Sequence, residues 1–230
     1  MQTVLNERIA DVKKRIIAAC GRVKRNPDEV RIMVVTKTHS FTKVMDAYNA
    51  GLRIFGENRV LEAAEKYATV PPGMELHLIG HLQTNKAKNA ANLFTWVDSI
   101  DSLHTAKALN KRLEVLGKTV NILLEVNTSL EASKSGYRTM EDLEKELPEI
   151  TQLAQLRLRG LMTLGPLSED REKVRDAFRR LRTCMDRLRT LVPKETIDTL
   201  SMGMSGDFEI AVEEGSTLVR LGTVLLARNT

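Results

Sequence analysis

The sequence has 230 residues, 42% of them apolar and 28% charged, with a formal net charge of +5. That supplies one substantial core, so a single domain over 1–230 is expected, and no run approaches the roughly 18 apolar residues that span a bilayer. The N-terminus, MQTVLNERIADVKKRIIAAC, carries Glu7 and Asp11 and has no signal-peptide core, and the mild charge suits anionic ligands without requiring nucleic acid. Cys20 and Cys184 lie far apart without metal-ligand spacing, which points to packed thiols in a reducing cytoplasm.

Val4, Leu5, Ile9, Val12, Ile16, Ile17 and Cys20 recur at helical spacing, so an amphipathic helix opens the chain and closes at Asn26-Pro27. Val30, Ile32, Val34 and Val35 then form a β-branched run that reads as a strand buried on both faces and stops at Lys37. A helix over 44–50 and a strand over 52–55 follow, the strand ending in Gly56-Glu57-Asn58. The alternation continues with helix 60–67, strand 75–79 ending at Gly80, helix 84–93, strand 95–98, helix 103–116 and strand 120–126. Helix 140–154, strand 156–161, helix 171–191, strand 197–200, helix 207–214 and strand 218–221 complete it. Eight strands alternating with helices, after one extra helix, predict an α/β fold: a (β/α)8 TIM barrel with an additional N-terminal helix. An open doubly wound sheet is the alternative, weakened by the lack of a G-x-G-x-x-G after the first strand.

In a barrel of this kind the chemistry sits at the carboxyl ends of the strands. Lys37, Asn58, the 77–80 stretch, Asn127, Met162, the 201–205 stretch and 220–223 all fall there. An ammonium at the mouth of a buried strand loses hydration, which suits a nucleophilic, Schiff-base amine; otherwise Lys37 simply snorkels. Ser201-Met202-Gly203-Met204-Ser205-Gly206 is a glycine-bearing loop entering a helix, a phosphate cup if Ser205 or Asp207 is not merely an N-cap. Arg220-Leu221-Gly222-Thr223 adds a cation, an unobstructed N–H and a hydroxyl. A lysine on the first strand with a phosphate cup is the minimum for pyridoxal phosphate, and Arg220 then faces the pyridine nitrogen unless it is paired with a carboxylate such as Glu57. Asn58 either caps a helix or joins the site. His39, His77, His81 and His104 have no metal-binding spacing, and no hydrolase motif occurs. Arg175, Arg179, Arg182 and Arg189 line one face of helix 171–191, an invitation to nucleic acid or a solvated surface.

The segments VVTKTHS, FGENRVLEA, HLIGHLQTNKAKN, VDSIDS, LEVNTSLEASKSGY, LRGLMTL and LSMGMSGDFEIAVEEGSTLVRLGT resemble, in order, the pyridoxal phosphate homeostasis protein family (YggS-like and PROSC-like proteins). The resemblance spans nearly the whole chain and implies a barrel similar to the N-terminal barrel of alanine racemases. It implies pyridoxal 5'-phosphate as a covalent aldimine on Lys37, with Arg220 at the pyridine nitrogen. Ser201, Gly222 and Thr223 become phosphate contacts, Met202 and Gly203 shape that loop, and Asn58 lies at the cofactor's edge. Tyr137 after Lys134-Ser135-Gly136, and the ending Leu225-Leu226-Ala227-Arg228, depart from the family's pattern.

The expected function is a monomeric carrier that holds the cofactor, limits its reaction with other amines and passes it to apoenzymes without robust turnover. No metal, membrane or nucleic-acid partner is expected. A weak amino-acid racemase is the first alternative. It needs a second proton donor, for which Tyr137 is the loop candidate, because the chain ends at Thr230 without the racemases' additional domain. A basic nucleic-acid adaptor is the second.

Overall fold

A computed structural model describes residues 2–131, 134–193 and 196–227. Ala132 and Ser133 of the LEASKSGY segment, Arg228 and Thr230 lie outside the described residues. Eight parallel strands follow one another around a closed barrel: β1 (Arg31–Val35), β2 (Ile54–Glu57), β3 (Glu75–Leu78), β4 (Trp96–Ile100), β5 (Val120–Glu125), β6 (Leu156–Met162), β7 (Thr199–Ser201) and β8 (Leu218–Leu221). Pairing of Arg31 with Leu218 through Val34 with Leu221 closes the ring. This is the (β/α)8 barrel read from the alternation, with the extra N-terminal helix in place.

Strand side chains alternate between the two faces of the wall. Outward residues such as Val34, Phe55, Leu76, Val97 and Leu124 join the main core beneath the helices. Inward residues pack in two smaller clusters, Met33, Val35, Ile54, Ile79 and Leu218 in one and Trp96, Leu123 and Met162 in the other. The covering helices are α2 (Phe41–Asn49), α3 (Val60–Lys66), α4 (Ala87–Leu93), α5 (Leu103–Leu116), α6 (Met140–Ile150), α7 (Arg171–Leu191) and α8 (Phe208–Glu213). The N-terminal helix, α1 (Gln2–Arg22), buries Leu5, Ile9, Val12, Ile16 and Ala19 and lies against α8 and the short α9 (Thr223–Leu226). Each of the leucine, isoleucine and valine side chains contributes about 1.5–3 kcal/mol on burial.

The structure departs from the sequence expectation at several element ends. α1 stops at Arg22, short of Asn26-Pro27, because Lys24 takes a left-handed φ of 55° that no helix continues. Asn26 instead caps a 3-10 turn, its side chain accepting from the Asp28 N–H. Ile17, counted in the apolar stripe, is 58% exposed. β2 starts two residues later than expected because the Leu52 N–H bonds back to the Ala47 carbonyl and finishes the preceding helix. α9 was not anticipated; a single turn forms where the N–H groups of Leu225 and Leu226 both donate to the Gly222 carbonyl. Among the described residues, no helix is long and apolar enough to cross a membrane.

Candidate functional site

A cavity of about 800 Å3 opens at the carboxyl ends of the strands, and Lys37, Asn58, Arg220, Gly222 and Thr223 all line it. Inward alternation through Met33 and Val35 brings Lys37 to this mouth. The expected burial of the lysine is not seen: Thr36 is the last buried residue of the run and Lys37 is exposed. The reason is local. β1 ends at Val35, the His39 N–H closes a turn on the Thr36 carbonyl, and Thr38 adopts a left-handed φ of 66°. The lysine therefore rises from a tight turn at the rim rather than from within the wall.

Asn58 follows β2 and lines the cavity instead of capping α3, whose N-cap is Arg59. Gly80 explains how it fits: a Cβ there would stand 2.1 Å from the Asn58 carbonyl oxygen, so only glycine permits the two strand exits to meet.

Arg220 is 2% exposed. Its Nη1 donates to Ser201 Oγ at 2.7 Å and its Nη2 to the Thr163 carbonyl at 2.7 Å. Burial pushes its pKa down, while the carboxylates of Asp98, Asp207 and Glu125 pull the other way and only partly offset it. The pairing with Glu57 weighed as an alternative does not form. Glu57 accepts from Lys66 and Thr36 on the outer side of the wall.

The anticipated phosphate loop divides into two parts. Ser201 is buried beneath Arg220, Met202 points into the outer core, and Gly203, at φ 93°, packs its Cα against Phe208 and Ala211. None of these three lines the cavity; Met204, Ser205 and Gly206 do. β7 ends at Ser201, so the chain must turn through Met202 and Gly203 before it reaches the rim. Ser205 Oγ accepts from the N–H groups of both Gly222 and Val224, each at 3.3 Å. Two backbone donors from the start of α9 thus converge on one oxygen at the cavity edge. Ser205 is not the N-cap of α8; Asp207 holds that position, and its carboxylate accepts from the Met204 N–H.

Glu125 and Lys134, at this end, have no site role in the sequence reading. Glu125, at the end of β5, lines the cavity at 5% exposure. Burial, reinforced by Asp101 and opposed by Arg220, raises its pKa to about 7. A lone glutamate closing the apolar run VNILLEV was the available signal. Lys134 also lines the cavity, its Nζ donating to Glu131 and to the Gly165 carbonyl. Asn127, expected at the rim, serves the loop instead: its amide donates to the carbonyls of Glu131 and Lys134. Deeper in the barrel His77 Nδ1 lies 2.9 Å from Asp98, with its ring stacked on Trp96. Burial opposes its charged form, but Asp98 and Glu75 outweigh that and raise its pKa.

Tyr137 does not line the cavity. Its hydroxyl donates to Glu146 at 2.7 Å, and burial with that carboxylate pushes its pKa well up. On α7, Arg175 pairs with Glu213 and Glu214, Arg182 with Glu214, and Arg179 with Asp176 and Glu214. Arg189 pairs with Asp186. That face is ion-paired within the chain rather than an open basic stripe. Among the described residues, no group of three or more His, Cys, Asp or Glu side chains could hold a metal ion.

The family model described as "Alanine racemase, N-terminal domain" matches residues 14–229. The pyridoxal phosphate homeostasis protein of Pseudomonas aeruginosa is 41% identical over 224 residues, covering 97% of this chain and 95% of that protein. Its namesake from Escherichia coli is 37% identical over 221 residues, covering 94% and 93%. The structure of PipY from Synechococcus elongatus with pyridoxal phosphate bound superposes with a TM-score of 0.84 at 35% identity, covering 97% of this chain and all of that one. An alanine racemase from Clostridium difficile shares the fold, with a TM-score of 0.69 at 14% identity over 57% of its own length.

Proposed function

The chain belongs to the alanine racemase N-terminal domain family and, within it, to the pyridoxal phosphate homeostasis proteins, and from that membership we propose that it binds pyridoxal phosphate covalently through Lys37 for storage and delivery. One observation carries the reading. A single cavity brings together a primary amine, a buried guanidinium and a pair of convergent backbone N–H groups. These match the aldehyde, the ring nitrogen and the phosphate of the cofactor. At about 800 Å3 the cavity is within the range of small-molecule sites.

Ser205, Gly206, Gly222 and Thr223 would hold the phosphate. The donors now directed at the Ser205 hydroxyl are those an anion would take, and charge would strengthen the contacts. Ser201 orients Arg220 from behind, and Met202 and Gly203 support the loop without touching the ligand. Asn58 borders the ring. Arg220, a cation hydrogen-bonded to no carboxylate among the described residues, would face the pyridine nitrogen and disfavour its protonation, which would weaken the ring as an electron sink. That is the chemistry of a holder. When bound, the cofactor would supply an aldehyde able to condense reversibly with an amine, and Lys37 is the cavity amine that would hold it. The recipients are pyridoxal phosphate-dependent apoenzymes, and the two free cysteines suit a reducing cytoplasm. The closed ring of eight strands supports a single-domain carrier.

Glu125 favours a second reading, a weak amino-acid racemase-type enzyme. A cavity carboxyl raised to about 7 can both give and take a proton near neutrality. Tyr137, the donor considered from sequence, is committed to Glu146. Two assays decide between the readings. Titration with pyridoxal phosphate should produce an imine absorption band that Lys37→Ala lacks, and optical rotation of L-alanine should stay constant. Sustained inversion dependent on Lys37 would establish the enzyme instead.

A further inference from the structure

On the outer face of β1 and β2, away from the cavity, lies a buried polar group with no part in the ligand contacts. Glu57 is 1% exposed. Its Oε1 accepts from the Thr36 hydroxyl at 2.7 Å, from Lys66 Nζ at 2.8 Å and from the Tyr67 hydroxyl at 3.3 Å. Lys66 Nζ also donates to the Thr36 carbonyl at 2.8 Å. That carbonyl accepts in addition the His39 N–H that closes the turn. Thr36 immediately precedes Lys37, and Glu57 immediately precedes Asn58.

We propose that Lys66, braced by Glu57, is a positioning residue for Lys37: it grips the carbonyl at the base of the Lys37 turn from behind the barrel wall. The inference rests on the reading of Lys37 as the cofactor amine. An exposed lysine on a turn that contains a left-handed Thr38 has little of its own to fix its direction. The grip supplies that direction. A buried ion pair is weak evidence for stability, because its desolvation consumes much of the attraction, and specifying one backbone arrangement is a better-attested use. Tyr67 and Thr36 complete the bracing, their hydroxyls 3.1 Å apart.

The test measures capture of pyridoxal phosphate by absorbance, together with the visible circular dichroism of the bound cofactor, in the full chain. The variants are Lys66→Met, Lys66→Arg and the double substitution Lys66→Met/Glu57→Gln. The double variant leaves no uncompensated buried charge, so it keeps the fold while losing the tether. The inference expects both Met-containing variants to capture the cofactor about ten- to a hundredfold more slowly, in line with small misplacements of a reacting group. It also expects altered dichroism and recovery in Lys66→Arg. A double variant with the wild-type rate and dichroism overturns the inference alone and leaves Lys66 as a charge partner for Glu57. A wild-type protein that captures nothing, like a Lys37→Ala control, overturns the proposed function and the inference with it.

Discussion

Arg220 and the arginines of α7 carry the same guanidinium into opposite circumstances. On α7 the cations meet carboxylates: Glu214, 7% exposed, receives Arg175 at 2.9 Å and Arg182 at 3.0 Å, and Glu213 receives Arg175 at 2.6 Å. Arg220 is more deeply buried, yet its hydrogen bonds go to a serine hydroxyl and a backbone carbonyl. Its carboxylate neighbours act at longer range. The paired arginines fasten α7 to the end of α8, and their charge is spent inside the molecule. The unpaired one keeps its charge at the wall of a cavity. Net charge counts both kinds alike, so it says nothing about which arginine is available to a ligand.

The sharpest way to break this contrast is to remove Arg220. Arg220→Ala leaves Ser201 Oγ and the Thr163 carbonyl buried without their donor, and a loss of about 3 kcal/mol in unfolding free energy is expected from urea titration. A change within 0.5 kcal/mol would show that the guanidinium is not held as described.

Glu125 gives the next largest effect, with a defined sign. Its pKa rises from 4.5 in the ordinary state to about 7 in the fold, so the folded protein binds this proton more tightly than the unfolded chain. Below pH 4.5 both states are protonated and nothing is lost. Between 4.5 and 7 the burial of the charge begins to cost stability, and above 7 the cost is complete, about 3 kcal/mol at 1.36 kcal/mol per pH unit. Glu125→Gln should therefore be more stable than the wild type at pH 8 by up to that amount, with the difference vanishing below pH 4.5. Equal stability at pH 8 would place the carboxylate in a better-compensated setting.

Ser205→Ala should cost about 1 kcal/mol, the worth of an ordinary hydrogen-bonded hydroxyl, while leaving the Gly222 and Val224 N–H groups directed at the cavity. Smallest are the α7 substitutions. Arg182→Ala removes a 43%-exposed side chain from a carboxylate that keeps other partners, so it should shift stability by at most about 1 kcal/mol. It should leave cofactor capture unchanged. Replacing Arg175, Arg179 and Arg182 together should cause no salt-dependent loss of nucleic-acid binding; such a loss would revive the adaptor hypothesis.

The barrel was legible because β1 and β5 carry the apolar runs VRIMVV and VNILLEV, whose burial needs no long-range information, and the shorter strands alternate regularly with helices between them. Strand and helix bounds agree best where a cap or apolar limit is written locally, as at Gly117 after α5 or Asp170 before α7. They slip where tertiary hydrogen bonds decide, as at Leu52 and at Lys24. The same division holds for the site. Lys37, Asn58, Arg220, Gly222 and Thr223 reach the cavity because they end strands, a property of order along the chain. Ser201, Met202 and Gly203 do not, because β7 ends below the rim at Ser201 and the turn spends Met202 and Gly203 before reaching it, and a motif does not display its own path. The brace of Thr36, Glu57, Lys66 and Tyr67 was hidden because it joins residues from the exit of β1, from β2 and from the end of α3, each unremarkable alone.

Whether Lys37 is the amine presented to the ligand is decided by borohydride reduction of the protein after incubation with pyridoxal phosphate, followed by peptide mapping. One dominant reduced adduct is expected, on Lys37. A dominant adduct on Lys134, which lines the same cavity, or no adduct at all, would contradict it.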